Sequence, residues 1–104
     1  LYGNGSGLPA DPSNSKISHS FLFQNYPNPF NPKTMIKYSL EQSSHVILKI
    51  YNLSGQEVET LVNSQQISGM HEVTWQPKEV PSGIYFYQLQ AADHSLIKKM
   101  MLIK

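Results

Sequence analysis

The side chains that most often carry chemistry in proteins are few in this sequence and are spread along it. The four histidines, His19, His45, His71 and His94, fall on separate predicted loops and strand starts. None stands two or four residues from another, which is the spacing that would bring two imidazoles to one metal ion. We therefore predict no metal site and no cofactor.

Two other patterns that resemble catalytic arrangements are explained by sheet architecture. Ser54-Gly55 and Ser82-Gly83 lack the flanking residues of a nucleophile elbow, and no helix is predicted after either pair. Glu57 and Glu59 share one face of a predicted strand, a spacing close enough to raise the pKa of a carboxyl group, but we interpret this strand as the solvated edge of a sheet. The sequence therefore predicts no catalytic residue, and we expect that the protein is not an enzyme.

Composition excludes several classes of partner. The 104 residues are enough for one domain with a modest core. Lys+Arg 8 against Asp+Glu 7 gives a formal net charge of +1, so the basic excess that neutralises phosphates is missing and no nucleic-acid partner is expected. Without cysteine the chain can form neither a disulfide nor a thiolate site. No apolar run approaches the roughly 18 residues of a membrane helix, so we expect no membrane insertion.

The stretch Tyr26-Pro27-Asn28-Pro29-Phe30-Asn31-Pro32 separates two parts of different character. Each proline holds its φ at about −65°, lacks a backbone donor and pushes the preceding residue into extended conformations, so no helix crosses the stretch. Asn28 and Asn31 precede prolines and can hydrogen-bond their own backbone in Asx-turns. Tyr26 and Phe30 offer apolar area that can anchor the loop on a core. We predict a stiff, exposed corner between two strands.

The residues before this corner differ from those after it. Residues 1–18 combine Gly and Pro with Ser, Asn and Asp and show no apolar periodicity, which is typical of a flexible linker or tail. From there onward, apolar residues alternate with polar ones in short runs separated by turn residues. We therefore predict a linker at 1–18 and one folded domain at 19–104.

Period-two alternation between turn signals predicts seven short strands in the folded part. The fourth alternates weakly and is interpreted as an edge strand, whereas the sixth, the longest and most aromatic, is predicted to be central. Trp75, the single tryptophan, is predicted to anchor the core. The predicted strands cover residues 21–24, 36–40, 45–52, 56–62, 72–75, 84–91 and 96–103.

Strands of this length at intervals of roughly 8–12 residues predict an all-β fold, an Ig-like or fibronectin-like antiparallel β-sandwich of about seven strands. Such a fold does not specify a function. From the residues alone, a structural spacer and a carbohydrate-binding accessory module of a secreted enzyme both stay open, although strand alternation would bury most of the rings available for sugar stacking. Those rings belong to Tyr26, Phe30, Tyr51, Tyr85 and Tyr87.

Several motifs occur in an order that resembles one known family. They are Gln24 to Pro32, Thr34 to Leu40, Ile50 to Val58, the set Gly69, His71, Val73 and Trp75, then Ser82 to Tyr87, and Lys98 to Lys104. From Phe21 onward, the chain resembles almost end to end the C-terminal sorting domain (type A) of proteins exported by the type IX secretion system of Gram-negative bacteria. Glu41 stands where that family often has proline, which is a minor departure.

The resemblance implies a recognition tag on a longer exported protein. The parent (cargo) domain would lie upstream, cross the inner membrane by an ordinary signal peptide and reach the outer-membrane secretion machinery through the periplasm. In the family, a sortase-like peptidase commonly cleaves the domain, and the cargo is released or attached to surface lipopolysaccharide. The expected location is therefore secreted, or the cell surface of a Gram-negative bacterium. We expect the domain to be a monomer.

The resemblance also assigns partner recognition to particular residues. A preorganised corner loses little entropy on binding, and the backbone at the edge of a terminal strand can be captured by an added strand. Each residue also has a purely structural explanation, in a turn, in the core or as protection of a sheet edge. The assigned residues are Tyr26, Pro27, Asn28, Pro29, Gly83, Tyr85, Lys98, Lys99 and Lys104.

Overall fold

Seven strands in two antiparallel sheets make up the computed structural model, which describes residues 20–104. The predicted linker at 1–18 and His19 lie outside the described residues. No helix occurs between residues 20 and 104, so this part of the chain contains none that could span a membrane. The strands are β1 (Phe21–Leu22), β2 (Thr34–Leu40), β3 (Ser44–Asn52), β4 (Glu57–Gln66), β5 (Gly69–Trp75), β6 (Gly83–Ala91) and β7 (His94–Leu102).

The two sheets differ in size and in the way they use the chain. One has three strands in the order β1-β2-β5, and the other has four in the order β4-β3-β6-β7. The predicted all-β sandwich is confirmed. So are the central place of β6, between β3 and β7, and the edge position of β4.

The alternation that predicts the strands also decides which side chains meet between the sheets. In β2, β3 and β6, every second side chain of the strand interior is buried, because successive residues point to opposite faces. The proline-rich segment adds one more ring, so the core draws on both sheets and on a loop. The core consists of Leu22, Phe30, Ile36, Tyr38, Leu40, Val46, Leu48, Ile50, Trp75, Tyr85, Tyr87, Leu89, Ala91, Met100 and Leu102.

Trp75 lies at the centre of an aromatic cluster within this core. Its ring centroid is 5.7 Å from that of Phe30 and 5.7 Å from that of Tyr85, the second pair in edge-to-face orientation, a geometry that favours aromatic pairs beyond their buried area. Its indole N–H donates to Glu59 Oε1 at 3.0 Å, so the polar atom of the buried ring is satisfied. The prediction that Trp75 anchors the core is confirmed.

The two acids of β4 have different surroundings. The ladder between β3 and β4 contains two register shifts, and a bulge of this kind interrupts the alternation of side chains along the strand. Glu57 accepts a hydrogen bond from Thr60 Oγ1 at 2.9 Å and lies 3.2 Å from Lys49 Nζ, contacts that lower the pKa of its carboxyl group. Glu59 turns instead to the Trp75 indole. The expectation that they share one face is wrong.

The end of β4 and the start of β5 are regular strand although their residues are mostly polar. Strand β4 continues to Gln66, and β5 begins at Gly69, whereas their sequences predict an end at Val62 and a start at Glu72. Both extensions pair through the backbone, with Gln66 opposite Ser44 and Gly69 opposite Leu40. Because ladder hydrogen bonds do not depend on side-chain type, an exposed edge can stay paired without apolar residues.

The predicted turn at residues 52–55 is confirmed in detail. Gly55 adopts φ +87°, a left-handed conformation that favours glycine, and its N–H donates to Asn52 O at 2.9 Å. The side-chain oxygen of Asn52 accepts from the backbone N–H of Ser54 at 3.0 Å and of Gln56 at 2.9 Å. Ser54 therefore belongs to an Asn-capped turn between β3 and β4.

Truncation of the loop ring tests the contribution of the aromatic cluster. We expect Phe30→Ala to lower the free energy of unfolding by about 3–5 kcal/mol, because a ring that is 1% exposed would leave a cavity against Trp75. Urea denaturation of the 104-residue chain measures this. Phe21→Ala is the matched control, since that ring is 55% exposed, and should change stability by no more than about 1 kcal/mol. Equal losses would contradict the arrangement.

Candidate recognition site

The proline-rich residues 24–30, called the strap below, connect β1 with β2 but lie against β7 of the other sheet. Phe30 and Leu102 form a parallel β-bridge. The N–H of Phe30 donates to Met101 O, and the N–H of Ile103 donates to Phe30 O, both at 3.0 Å. One residue of the strap thus adds to the edge of β7 as a partner strand would.

Two side chains of the strap extend this contact along β7. Asn28 Oδ1 accepts a hydrogen bond from the N–H of Met101 at 3.0 Å, and Gln24 Nε2 donates to Lys99 O at 2.7 Å. The expectation that Asn28 closes an Asx-turn on its own backbone is therefore wrong, because its oxygen caps a residue 73 positions away in the chain. The predicted corner is a tertiary contact rather than a free loop.

A buried polar network holds the inner side of the strap. The N–H of Asn25 donates to Tyr87 Oη at 2.8 Å, and the Tyr87 hydroxyl donates to Phe23 O at 2.7 Å. Asn25 Nδ2 reaches Thr34 Oγ1 at 3.0 Å and Pro27 O at 3.1 Å, and Thr34 Oγ1 also donates to Pro27 O at 2.8 Å. Burial raises the pKa of Tyr87 to about 12. These bonds fix the strap because unpaired buried polar groups are costly.

The four strap residues predicted for recognition are all exposed, namely Tyr26, Pro27, Asn28 and Pro29. Tyr26 is 81% exposed, so the expectation that its ring anchors the loop on the core is wrong. Phe30 supplies that anchor alone. The strap consequently presents one large ring and two prolines to solvent from a rigid base.

The two predicted site residues of β6 have structural surroundings. Gly83 begins the strand with φ +152°, a backbone conformation that side-chain-bearing residues rarely adopt. Tyr85 is buried in the core, where its ring packs on Trp75 and its hydroxyl donates to Pro81 O at 2.6 Å. Neither residue presents a side chain to a partner, so any contribution to recognition would act through the shape of the β6 start.

The three predicted lysines lie along and just beyond β7. Lys99 is exposed, whereas Lys98 is half-buried where the short β1 approaches β7. Lys104 bonds to the loop that precedes β6. Its N–H donates to Ser82 Oγ at 2.9 Å, and its Nζ donates to Lys78 O at 3.1 Å. The lysines therefore occupy separate positions rather than one cluster.

Two of the predicted groups meet at a single open pocket of about 190 Å³. The strap contributes Asn28 and Pro29, and β7 contributes Lys99, so residues some 70 positions apart become neighbours. Sequence reasoning missed Ile84, Met100 and Met101 as members of this site. The alternation of β7 predicts that Met101 points outward, but only the docked strap turns its surroundings into a concavity. The lining residues are Asn28, Pro29, Ile84, Lys99, Met100 and Met101.

The edge of β7 is only partly available for an added strand. Both backbone groups of Met101 point towards the strap, and by the period of two those of Lys99 and Ile97 point the same way. The strap already occupies the edge from the carbonyl of Lys99 to the N–H of Ile103. Among residues 20–104, none outside the sheet is seen bonding to the backbone of Ile97. Strand capture is therefore confined to the first half of β7 while the strap is in place.

The histidines that the structure describes have ordinary surroundings. His71 stacks on Tyr38, with ring centroids 5.3 Å apart, and His45 Nε2 lies 2.6 Å from Asn63 Oδ1. Within residues 20–104, no three His, Asp or Glu side chains cluster as metal ligands would. Of the five rings considered for sugar stacking, those of Phe30, Tyr85 and Tyr87 are buried.

These features define a small Ig-like β-sandwich with a surface site built from an edge strand and a docked proline-rich loop. The model of the secretion system C-terminal sorting domain family matches residues 24–104, and the chain belongs to this family. The resemblance noted from the motifs is thus confirmed. A domain of this family is a C-terminal sorting signal of the type IX secretion system, and its carriers are exported proteins, secreted or at the cell surface.

Two solved structures from Porphyromonas gingivalis share the fold. Dimeric latent PorU superposes with a TM-score of 0.64 at 16% identity, covering 84% of this chain and 10% of that one. PorZ, a bacterial surface component of the type IX secretion system, superposes with a TM-score of 0.54 at 20% identity, covering 82% and 11%. At these identities the likeness shows the fold alone, and the chain spans about a tenth of each protein. No curated protein matches the sequence.

Removal of the Asn28 cap tests the docking of the strap. We expect Asn28→Ala to lower the free energy of unfolding by about 1 kcal/mol and to speed hydrogen exchange at the Met101 amide, because that N–H loses its acceptor. NMR-detected exchange measures the effect. Tyr26→Ala, at an exposed strap position, is the control and should leave the Met101 amide unchanged. Unaltered exchange in Asn28→Ala would show that the cap does not form in solution.

The buried tyrosine predicts how stability depends on pH at the alkaline end. Burial raises the pKa of Tyr87 from 10.0 to about 12, so the folded chain keeps a proton that the unfolded chain loses first. This contribution to stability is complete below about pH 10 and disappears between pH 10 and pH 12. Urea unfolding across that interval should show the decline, and Tyr87→Phe should make it shallower. If the free energy of unfolding declines equally steeply in both proteins, Tyr87 is not the cause of the decline.

Proposed function

We propose that residues 19–104 form the recognition domain of a longer exported protein, and that residues 1–18 link it to a cargo domain upstream. In this proposal the domain catalyses no reaction and binds no cofactor. It serves as the part of the parent protein that the type IX secretion machinery of the outer membrane binds, after the parent has passed through the periplasm. The observation that carries the proposal is the meeting of the strap and β7 in one surface of a sorting-domain fold.

The partners we propose are the outer-membrane machinery and a sortase-like peptidase that separates the domain from its cargo. The rigidity of the strap supports this, since a loop already held by hydrogen bonds to Lys99, Met101 and Ile103 loses little conformational entropy when a partner binds it. We further propose that the domain reaches these partners as a monomer.

Recognition would divide between contact residues and supporting residues. Pro29 and Lys99 line the same pocket, and Tyr26 is exposed three residues before Pro29, so we propose that all three touch the partner. Pro27 and Asn28 would hold the strap, through the carbonyl bonded by Thr34 and the cap on Met101. Gly83 and Tyr85 would shape the start of β6. Lys98 and Lys104 would add positive charge at either side.

An export assay tests the proposal directly. Residues 19–104 are fused behind a reporter that carries an inner-membrane signal peptide, in a host with a type IX system and in the same host without it. We expect the reporter at the cell surface or in the medium of the first host alone. Retention of the fusion inside cells that have the system would contradict the proposal.

Point variants separate recognition from folding in the same assay. We expect Tyr26→Ala combined with Lys99→Ala to reduce export at least about tenfold while the purified chain unfolds at an unchanged urea concentration, because both side chains are exposed. Glu41→Ala, at an exposed charged residue just beyond the other end of β2, is the control. Equal export by all three proteins would rule out the strap and β7 surface as the part that is recognised.

A further inference from the structure

The pocket between the strap and β7 indicates the chemistry of the segment that binds there. We propose that it receives one apolar side chain of an extended, acidic partner segment, whose neighbouring carboxylate pairs with Lys99. This inference rests on the proposed function, since it names what the recognition surface takes. It commits to an acidic polypeptide as the occupant.

The size and lining of the pocket match a single side chain. Its volume of about 190 Å³ is below the roughly 300 Å³ at which small-molecule and cofactor sites begin. Pro29, Ile84 and Met101 contribute apolar side chains to its wall, and Met101 is 39% exposed. An aliphatic or aromatic side chain would remove these groups from water, whereas a polar side chain would leave its hydrogen bonds unmade.

The surroundings of the pocket suit an extended segment. On the outer face of the four-stranded sheet, Ile84 stands opposite Met101 and Phe86 stands opposite Lys99, with Tyr51 next to Phe86. All except Lys99 carry apolar or aromatic side chains that are partly exposed. A chain leaving the pocket therefore crosses a further apolar row and passes the Lys99 ammonium group.

Charge decides the nature of the neighbouring residue. Lys49, on the same outer face, lies 3.2 Å from a carboxylate oxygen of Glu57, and Lys37, on the other sheet, lies 3.9 Å from Glu72. Lys99 has no carboxylate within 4.0 Å anywhere in residues 20–104. An ammonium group beside an apolar pocket attracts a carboxylate and repels a second cation, which selects acidic over basic segments.

The pocket is formed before any partner arrives. Asn28 is held on the N–H of Met101 and the carbonyl of Pro27 is held by Thr34, so Pro29 stands against β7 without further rearrangement. A preformed concavity loses little entropy on binding. A short segment can therefore bind measurably even before the rest of a partner adds its contacts.

Three synthetic peptides test the inference on the 104-residue chain. They are blocked pentapeptides of sequence Gly-Asp-Leu-Asp-Gly, Gly-Lys-Leu-Lys-Gly and Gly-Asp-Gly-Asp-Gly. In NMR titrations, we expect the first to shift the amides of Ile84, Lys99 and Met101 and to bind at least about tenfold more tightly than the other two. Equal binding of the acidic and basic leucine peptides, or no shift with either, would overturn the proposal. Equally tight binding of the leucine-free peptide would show that the pocket does not receive an apolar side chain.

Charge reversal provides the matched variant. We expect Lys99→Glu to invert the preference, so that the basic leucine peptide binds more tightly than the acidic one, whereas Lys37→Glu should keep the wild-type preference because Lys37 lies on the other sheet. An unchanged preference in Lys99→Glu would overturn the assignment. The export assay stays independent of this result. If the wild-type fusion is exported but the chain shows no preference between the peptides, only this inference is contradicted. If the fusion is retained inside the cell, the proposed function itself is contradicted.

Discussion

The parallel bridge between Phe30 and Leu102 is the contact on which the rest of the structure depends. The strap stays bridged to β2 of the three-stranded sheet through Tyr26 and Met35, and it bonds to the last strand of the four-stranded sheet through Phe30. Because Phe30 is held there by two backbone hydrogen bonds, its ring reaches Trp75 in the core. The same placement brings Asn28 to the N–H of Met101 and Pro29 to the wall of the pocket. The contact that completes the core therefore also forms the candidate site.

The strap also changes how the last strand meets a partner. A terminal strand with an open edge would be a template for pairing with any extended chain. Here the strap covers the second half of the β7 edge, and the short β1 approaches the first half. The opposite edge of that sheet, β4, carries two register shifts and charged residues that discourage pairing. Next to the strap, the accessible part of β7 is a side-chain surface, so selectivity there depends on the shape and charge around Lys99.

Some of this was predictable from residue types and some was not. The period of two predicted the strands that carry Ile36, Val46 and Tyr87 into the core, since strand alternation needs no knowledge of the partner strand. The ends of β4 and β5 were missed because edge pairing uses backbone groups that every residue has. The face shared by Glu57 and Glu59 was missed because bulges leave no mark in a sequence of this composition. The motifs identified the family without any of these details.

By itself, the sequence determined an all-β chain with a proline-rich corner, a tryptophan in the core and a family of secretion sorting domains, because alternation, turn chemistry and motif order are local properties. Only the tertiary structure decided that Tyr26 points to solvent and that Asn28 bonds to β7. It also decided that Pro29 and Lys99 share a pocket. These facts depend on which distant surfaces meet, and that is settled by the packing of two sheets and a loop together rather than by any neighbouring residues in the chain.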